Sequence, residues 1–336
     1  MSDFSWKKHS PVEQLERYEH CAFEPDSSNE IYIFGGASKD SNTNSTLKIS
    51  PDTGSCETVQ CKGEVPTPRT IHSAASLGDS LYIWGGGHKG PNPVPDLQLH
   101  VFNGKTETWS QPKVTGKLPS ARHGHVMCVV GSQLYIHGGM AGTTFHKDLH
   151  AFSLSDMTCG KVKQRGDLPC ARAAHAAASF NKSMFTFGGM SQEGALDDLC
   201  CFNAATATWT TLKFDSPMPT PRLDHSMFVV ELLCRKDPKP DSETQKEKSP
   251  PGTPPSTPNL VSGAANIIPV DLWQTSAPVS RNNGDVAKMG ERLAQELHLV
   301  ENVATTSVPA LMIFGGMDTS GNVYNDVLVT RLNDLV

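Results

Sequence analysis

RHGHVM, residues 122–127, carries two histidines two apart beside an arginine. On a strand, positions i and i+2 face the same way, so His123 and His125 could reach one metal ion. The rest of the chain favours another reading. R-x-x-H recurs from Arg17 to His20, Arg69 to His72, Arg122 to His125, Arg172 to His175 and Arg222 to His225. The arginines are spaced by 52, 53, 50 and 50 residues. A residue that returns in every unit of a repeat serves the unit's fold. His125 is therefore assigned a structural role: an arginine and a histidine three apart satisfy backbone groups between neighbouring units. Only His123 is extra. A ring of five converging imidazoles is the remaining way for this pattern to hold a metal.

A glycine pair follows each arginine: Gly35-Gly36, Gly85-Gly86, Gly138-Gly139, Gly188-Gly189 and Gly315-Gly316. The first four pairs lie 16 to 18 residues after their arginine and the fifth lies 93 after. Each pair closes a short run rich in aromatic and β-branched residues: IYIFGG, LYIWGG, LYIHGG, MFTFGG and LMIFGG. These are strand patterns ended by a break. His137 replaces an aromatic in the third run, a core or channel position. A further strand starts near Asp96-Leu97, Asp148-Leu149, Asp198-Leu199 and Asp326-Val327, with Thr46-Leu47 in the first unit. A fourth is marked by Trp109 and Trp209, with Cys56 and Cys159 at the same place in the other complete units. Each of these four lies 13 residues before the next arginine. The unit thus has four strands in about 50 residues.

The doublet glycines, the aspartate after them and the tryptophan resemble kelch repeats. The resemblance implies an all-β fold, a kelch-type β-propeller with blades packed around a channel. No single blade buries both faces, so each needs its neighbours. Five complete blades are expected near residues 17–60, 69–112, 122–163, 172–212 and 222–331. The last has a third strand near 325–332 and no fourth. Trp6 lies 11 residues before Arg17, so residues 4–9 are expected to supply the closing strand and remove the open edges. Kelch propellers more often resemble six- or seven-bladed rings. The chain then reads as a form lacking one N-terminal repeat, six blades in its longer form.

The late glycine pair in the fifth unit marks an insert over 234–309. It contains KDPKPDSETQKEKSPPGTPPSTP, whose composition cannot bury a core and reads as disordered. Ser249, Thr253 and Thr257 each precede a proline and are candidates for proline-directed phosphorylation. Val286, Met289, Leu293, Leu297 and Val300 keep helical spacing, which predicts a short amphipathic helix over 286–300. The insert joins strands one and two, so it leaves from the face opposite the proline-stiffened loop 86–96.

The net charge is -6 and no basic block carries interleaved aromatics, which argues against a nucleic-acid partner. Nine cysteines without a C-x-x-C pair read as free thiols in a reducing compartment. No stretch has signal-peptide or membrane-span character, so a cytosolic protein without a transmembrane segment is expected. No nucleophile elbow or phosphate loop occurs, so neither a catalytic residue nor a cofactor is assigned. RYEHCAF, LHVFN, WSQP, IHGGMAG, KDLHAF, GGMSQEGALDDL, WTTLKFD and PRLDHSM are similar to the kelch-motif effectors of a late-endosomal Rab GTPase. This resemblance implies a non-enzymatic adaptor that binds the GTP-bound Rab. It implies vesicle transport from endosome to trans-Golgi network, with retrieval of mannose 6-phosphate receptors. It also implies a cytoplasmic protein peripheral on those membranes, with other endosomal trafficking proteins as further partners. It carries over no binding residue. The alternatives are a general kelch interaction scaffold, a ubiquitin-ligase substrate receptor and a metal-dependent propeller enzyme. A copper enzyme of that kind needs a Tyr-Cys pair, and all five tyrosines here (18, 32, 82, 135, 324) fall at repeat or strand positions.

Overall fold

A computed structural model describes residues 13–39, 41–89, 92–235 and 305–332. The expected closing strand 4–9 with Trp6, the three phosphorylation candidates and the 286–300 helix lie outside these residues. The chain divides into two units, Met1–Leu232 with Val308–Val336, and Leu233–Ser307. The first unit carries the repeats.

Five blades in a β-propeller arrangement follow one another along the chain. Blade one consists of Cys21–Phe23, Ile31–Phe34, Thr46–Ile49 and Cys56–Thr58. Blade two consists of Ser73–Leu77, Ser80–Trp84, His100–Asn103 and Thr108–Ser110. Blade three has His123–Val130, Gln133–Ala141, Leu149–Ser153 and Thr158–Lys161. Blade four has Ala176–Phe180, Ser183–Phe187, Leu199–Asn203 and Thr208–Thr211. In each, consecutive strands pair antiparallel. Blade five has three strands among the described residues, Ser226–Arg235, Thr305–Phe314 and Val327–Arg331.

The register is the same in each blade. The fourth-strand marker lies opposite one third-strand residue: Ile49 faces Cys56, Phe102 faces Trp109, Phe152 faces Cys159 and Phe202 faces Trp209. Blades two to four gain an outer edge that the sequence pattern does not announce. Two residues of the incoming linker, Lys62–Gly63, Thr115–Gly116 and Arg165–Gly166, pair parallel with the fourth strand. The strands of blade five reach Arg235 and resume at Thr305. This narrows the expected insertion from 234–309 to 236–304, because SMFVVELLCR and TTSVPALMIF keep strand-forming residues beyond the repeat length.

The core lies in four slabs, one in each seam between successive blades. Phe34 of blade one shares a slab with Leu81, Phe102 and Trp109 of blade two. Trp84 shares one with Leu134 and Phe152, Tyr135 with Phe202 and Trp209, and Phe187 with Leu311 and Leu332. Each fully buried large apolar side chain contributes about 1.5–3 kcal/mol, so the seams hold the ring of blades together.

Candidate functional site

The five R-x-x-H turns lie just before or at the start of the first strands, at the inner edge of the blades. Each arginine donates from Nη1 to the carbonyl of the first glycine in its own blade's pair. The distances are 3.1 Å for Arg17 to Gly35, 3.0 Å for Arg69 to Gly85 and 2.9 Å for Arg122 to Gly138. They are 3.1 Å for Arg172 to Gly188 and 2.9 Å for Arg222 to Gly315. In four blades the guanidinium also meets the aspartate after the pair: Arg69 and Asp96 at 3.1 Å, Arg122 and Asp148 at 2.6 Å, Arg172 and Asp198 at 2.7 Å, Arg222 and Asp326 at 2.6 Å. Blade one has no such carboxylate, and Arg17 donates to Ser45 Oγ instead. Burial alone would raise the carboxyls of Asp148 and Asp198, but hydrogen bonds and charge from the arginines, and the His150 contact at Asp148, hold both below the usual range. The hydrogen bond from Arg222 does the same for Asp326.

The same turn bonds to the preceding blade through its backbone. The second glycine of each of the first four pairs donates its N–H to the arginine carbonyl of the next blade: Gly36 to Arg69 at 2.9 Å, Gly86 to Arg122 at 3.0 Å, Gly139 to Arg172 at 2.8 Å and Gly189 to Arg222 at 2.8 Å. The histidine fills the seam beside this bond. A Cβ on Gly138 would come within 2.7 Å of the His175 ring, and one on Gly139 within 2.8 Å of the His125 Cβ. Both glycines also have positive φ, +69° and +91°, which glycine adopts without steric cost. The rings of His72, His125, His175 and His225 pack edge-on against the residue before the preceding pair. Phe34 and His72 are 5.6 Å apart, Trp84 and His125 5.1 Å, Phe187 and His225 5.3 Å. His137 stands in for the aromatic in blade three, and its Nδ1 lies 3.1 Å from His175 Nε2.

These rings are held neutral. Desolvation, followed by the charge of the neighbouring arginine, lowers His72 and His125 to about 3 and His225 to about 4. His137 falls to about 3 for the same reasons. Desolvation and the adjacent His137 push His175 well below the usual value. The carbonyls of Arg69, Trp84 and Phe187 lie near the rings of His72, His125 and His225. They fall outside hydrogen-bond geometry, so both nitrogens of those rings are unbonded. Each histidine occupies its own seam. Among the described residues no three His, Cys, Asp or Glu side chains gather as a metal-holding group. His123 is buried at the head of its strand opposite Met140, while His125 lies opposite Gly138. The cysteines at positions 21, 56, 61, 128, 159, 170, 200 and 201 are free.

The seam from blade five to blade one differs. Among the described residues a Cβ on Gly315 would meet only the Tyr324 carbonyl, at 3.7 Å, with neither a histidine ring nor an arginine carbonyl near it. Phe314 is 50% exposed, where Phe34, Trp84, His137 and Phe187 are at most 1% exposed. Tyr18 is 58% exposed on the blade-one side. A second apolar opening, of about 240 Å³, lies between blades four and five and is lined by Phe187, Leu199, Phe214, Met218, Leu311 and Leu328. Among the described residues the seam packing is left incomplete at these two places.

The family profile described as the KLHDC2/KLHL20/DRC7 Kelch-repeats domain matches residues 2–232. The chain belongs to the kelch-repeat family. This kelch chain is 44% identical over 318 residues to the mouse "Rab9 effector protein with kelch motifs", a match covering 94% of the chain and 75% of that protein. It is 50% identical over 137 residues to the bovine and 47% to the human protein of that name. Those matches cover 40% of the chain and 37% of each relative, well under two thirds of their length. In the kelch chain the arginine–aspartate clamp is a feature that repeat spacing alone did not assign. Its signal is a separation of 26 or 27 residues from arginine to aspartate in three blades.

Proposed function

We propose that this kelch chain is a non-enzymatic Rab effector that binds the GTP-bound form of a late-endosomal Rab GTPase. It acts as an adaptor in vesicle transport from endosome to trans-Golgi network, in the retrieval of mannose 6-phosphate receptors, from the cytoplasmic side of those membranes. The observation that carries the reading is the 44% identity over 94% of the chain to a protein named as a Rab9 effector. Two features agree with it. The arginines, aspartates and histidines that look chemically active are engaged in the blades and seams. No helix among the described residues is long and apolar enough to cross a membrane. A kelch propeller supports many roles, so the fold does not choose the partner.

The test is equilibrium binding of the folded full chain to the Rab, loaded with a GTP analogue and separately with GDP. At least about tenfold tighter binding of the GTP form, equivalent to about 1.4 kcal/mol, is the expected result. Equal affinity for both forms, or binding to neither, overturns the reading.

A further inference from the structure

The outer edge of the seam between blades three and four gathers cations. The linker strand Thr115–Gly116 runs parallel to Thr158–Lys161, and the Lys117 N–H donates to the Cys159 carbonyl at 2.9 Å. Lys117 therefore lies beside the strand that ends at Lys161. The Val162 N–H bonds the Leu149 carbonyl at 2.8 Å, and Lys163 comes next. Gln164 donates from Nε2 to the Lys147 carbonyl at 3.3 Å, which brings Lys147 to the same edge. Arg165 opens the outer strand of blade four, with its N–H on the Ala207 carbonyl at 3.0 Å. All five residues are exposed.

Among the described residues no carboxylate lies within ion-pair distance of these five side chains. Lys48, by contrast, bridges Glu57 at 2.8 Å and Glu107 at 3.0 Å. The carboxylates closest in sequence are engaged elsewhere. Asp148 is held by Arg122 at 2.6 Å, Asp156 accepts from Thr158 Oγ1 at 3.0 Å, and Asp167 accepts from the Thr211 N–H at 3.4 Å. The repeat itself does not call for this charge. One seam later the places of Lys161, Lys163, Arg165, Lys117 and Lys147 are held by Thr211, Lys213, Asp215, Asp167 and Asp197. The stretch 111–167 carries seven Lys and Arg against three Asp and Glu, in a chain of net charge -6.

We propose that this edge is a docking surface for an anionic lipid bilayer. Charges on a protein surface are screened over about 8 Å at physiological salt, so the acidic remainder of the chain does not cancel the patch. Four of the five cations are lysines, and no aromatic residue stands among them. Protein interfaces are depleted in lysine and enriched in arginine and aromatic residues. The composition fits a diffuse layer of phosphate headgroups, which attracts basic side chains without shape complementarity. Each lysine or arginine near such a surface raises affinity about fivefold. The patch offers no apolar wedge, so the contact is electrostatic and salt releases it. The proposal stands on the charge pattern and is independent of the Rab reading.

The test is flotation of the full chain with vesicles of phosphatidylcholine, alone or with about 30% phosphatidylserine, at about 0.1 M and about 0.5 M salt. Binding to the anionic vesicles alone, released at the higher salt, is expected. Lys117→Glu, Lys161→Glu and Lys163→Glu combined are expected to lower the affinity at least about tenfold. Lys62→Glu, Lys182→Glu and Lys213→Glu change the net charge equally at exposed positions elsewhere and are expected to keep it within about threefold. Melting followed by circular dichroism checks that both triple variants fold. No binding to anionic vesicles, equal binding to neutral ones, or an equal loss in both triple variants overturns the proposal. The patch variant is expected to bind the GTP-loaded Rab in solution as the parent chain does. A loss of Rab binding with vesicle binding intact assigns the edge to a protein partner and overturns the proposal.

Discussion

Acid should unfold this propeller in a range where most proteins are stable. His125, His137, His175 and His225 are buried, His72 is half-buried with its ring nitrogens shielded, and all five are neutral, with pKa values near 3 or 4 or well below normal. In the unfolded chain each titrates near 6.5. Below that value the unfolded state binds protons that the folded state refuses, so stability falls as pH falls. The contribution is complete above about pH 7 and is lost progressively from about 6.5 down to about 3–4. At pH 5.5 each of His72, His125, His137 and His225 costs RT ln(1 + 10), about 1.4 kcal/mol, and the four cost about 6 kcal/mol; His175 adds to this in the same direction. That is comparable to the whole stability of a domain, roughly 5–15 kcal/mol. The clamp aspartates do not blur the measurement. Their pKa values are lowered, so their contribution is complete above the usual carboxylate value of about 4 and is lost only below it. The assay is urea unfolding at a series of pH values between about 7.5 and 5.5. His137→Phe supplies the internal control: phenylalanine and tryptophan already occupy that place in blades one, two, four and five, and about 1.4 kcal/mol of the loss at pH 5.5 should vanish. A total loss under about 1.4 kcal/mol across that range, the share of a single histidine, would refute the reasoning.

Two further outcomes test the clamp and the glycine pair. Asp198→Asn leaves the Arg172 guanidinium buried with no charge partner, and breaking a buried pair in this way costs about 3–5 kcal/mol; equilibrium denaturation should show it, with little change if the ion pair is dispensable. Gly138→Ala and Gly142→Ala alter residues of similar φ, +69° and +58°, but only the first puts its Cβ against the Arg172 carbonyl and the His175 ring. Gly142→Ala should cost about 1 kcal/mol and Gly138→Ala at least about twice that; equal losses would show that the seam tolerates the extra atom.

The repeat was legible because its period is set by backbone geometry that recurs. The glycine pair, the R-x-x-H turn and the fourth-strand marker fall at fixed offsets, and the five blades follow from them. The seam partners were harder to read, since they join residues in different repeats. Nothing local to Phe34 announces His72, 38 residues on. The parallel pair at Arg165–Gly166 is two residues long, too short for any periodic signal. In RHGHVM the structure sets His125 in a seam and gathers no group of three metal-ligating side chains among the described residues, which spacing along one strand does not reveal. A histidine on one strand meets residues of the next blade, so spacing within the strand does not tell which groups surround it.

The distribution of conserved-looking chemistry bears on how such a chain can recognise a partner. Arg122, Asp148 and Gly138 close one blade, and His125 closes the seam before it, so none is free to vary with a ligand. Recognition must then use side chains that the repeat leaves unspecified. Exposed apolar residues of this kind include Tyr18, Leu77, Leu168, Phe228 and Val323, on or beside blades one, two, four and five. Blades two to four have neighbours on both sides, and their inner edges are fixed from both. Blades one and five each have one neighbour fewer among the described residues. In a stack of units stabilised through nearest-neighbour interfaces, the end units are the least restrained. In blades one and five Tyr18 and Phe314 stay exposed where no seam partner lies among the described residues.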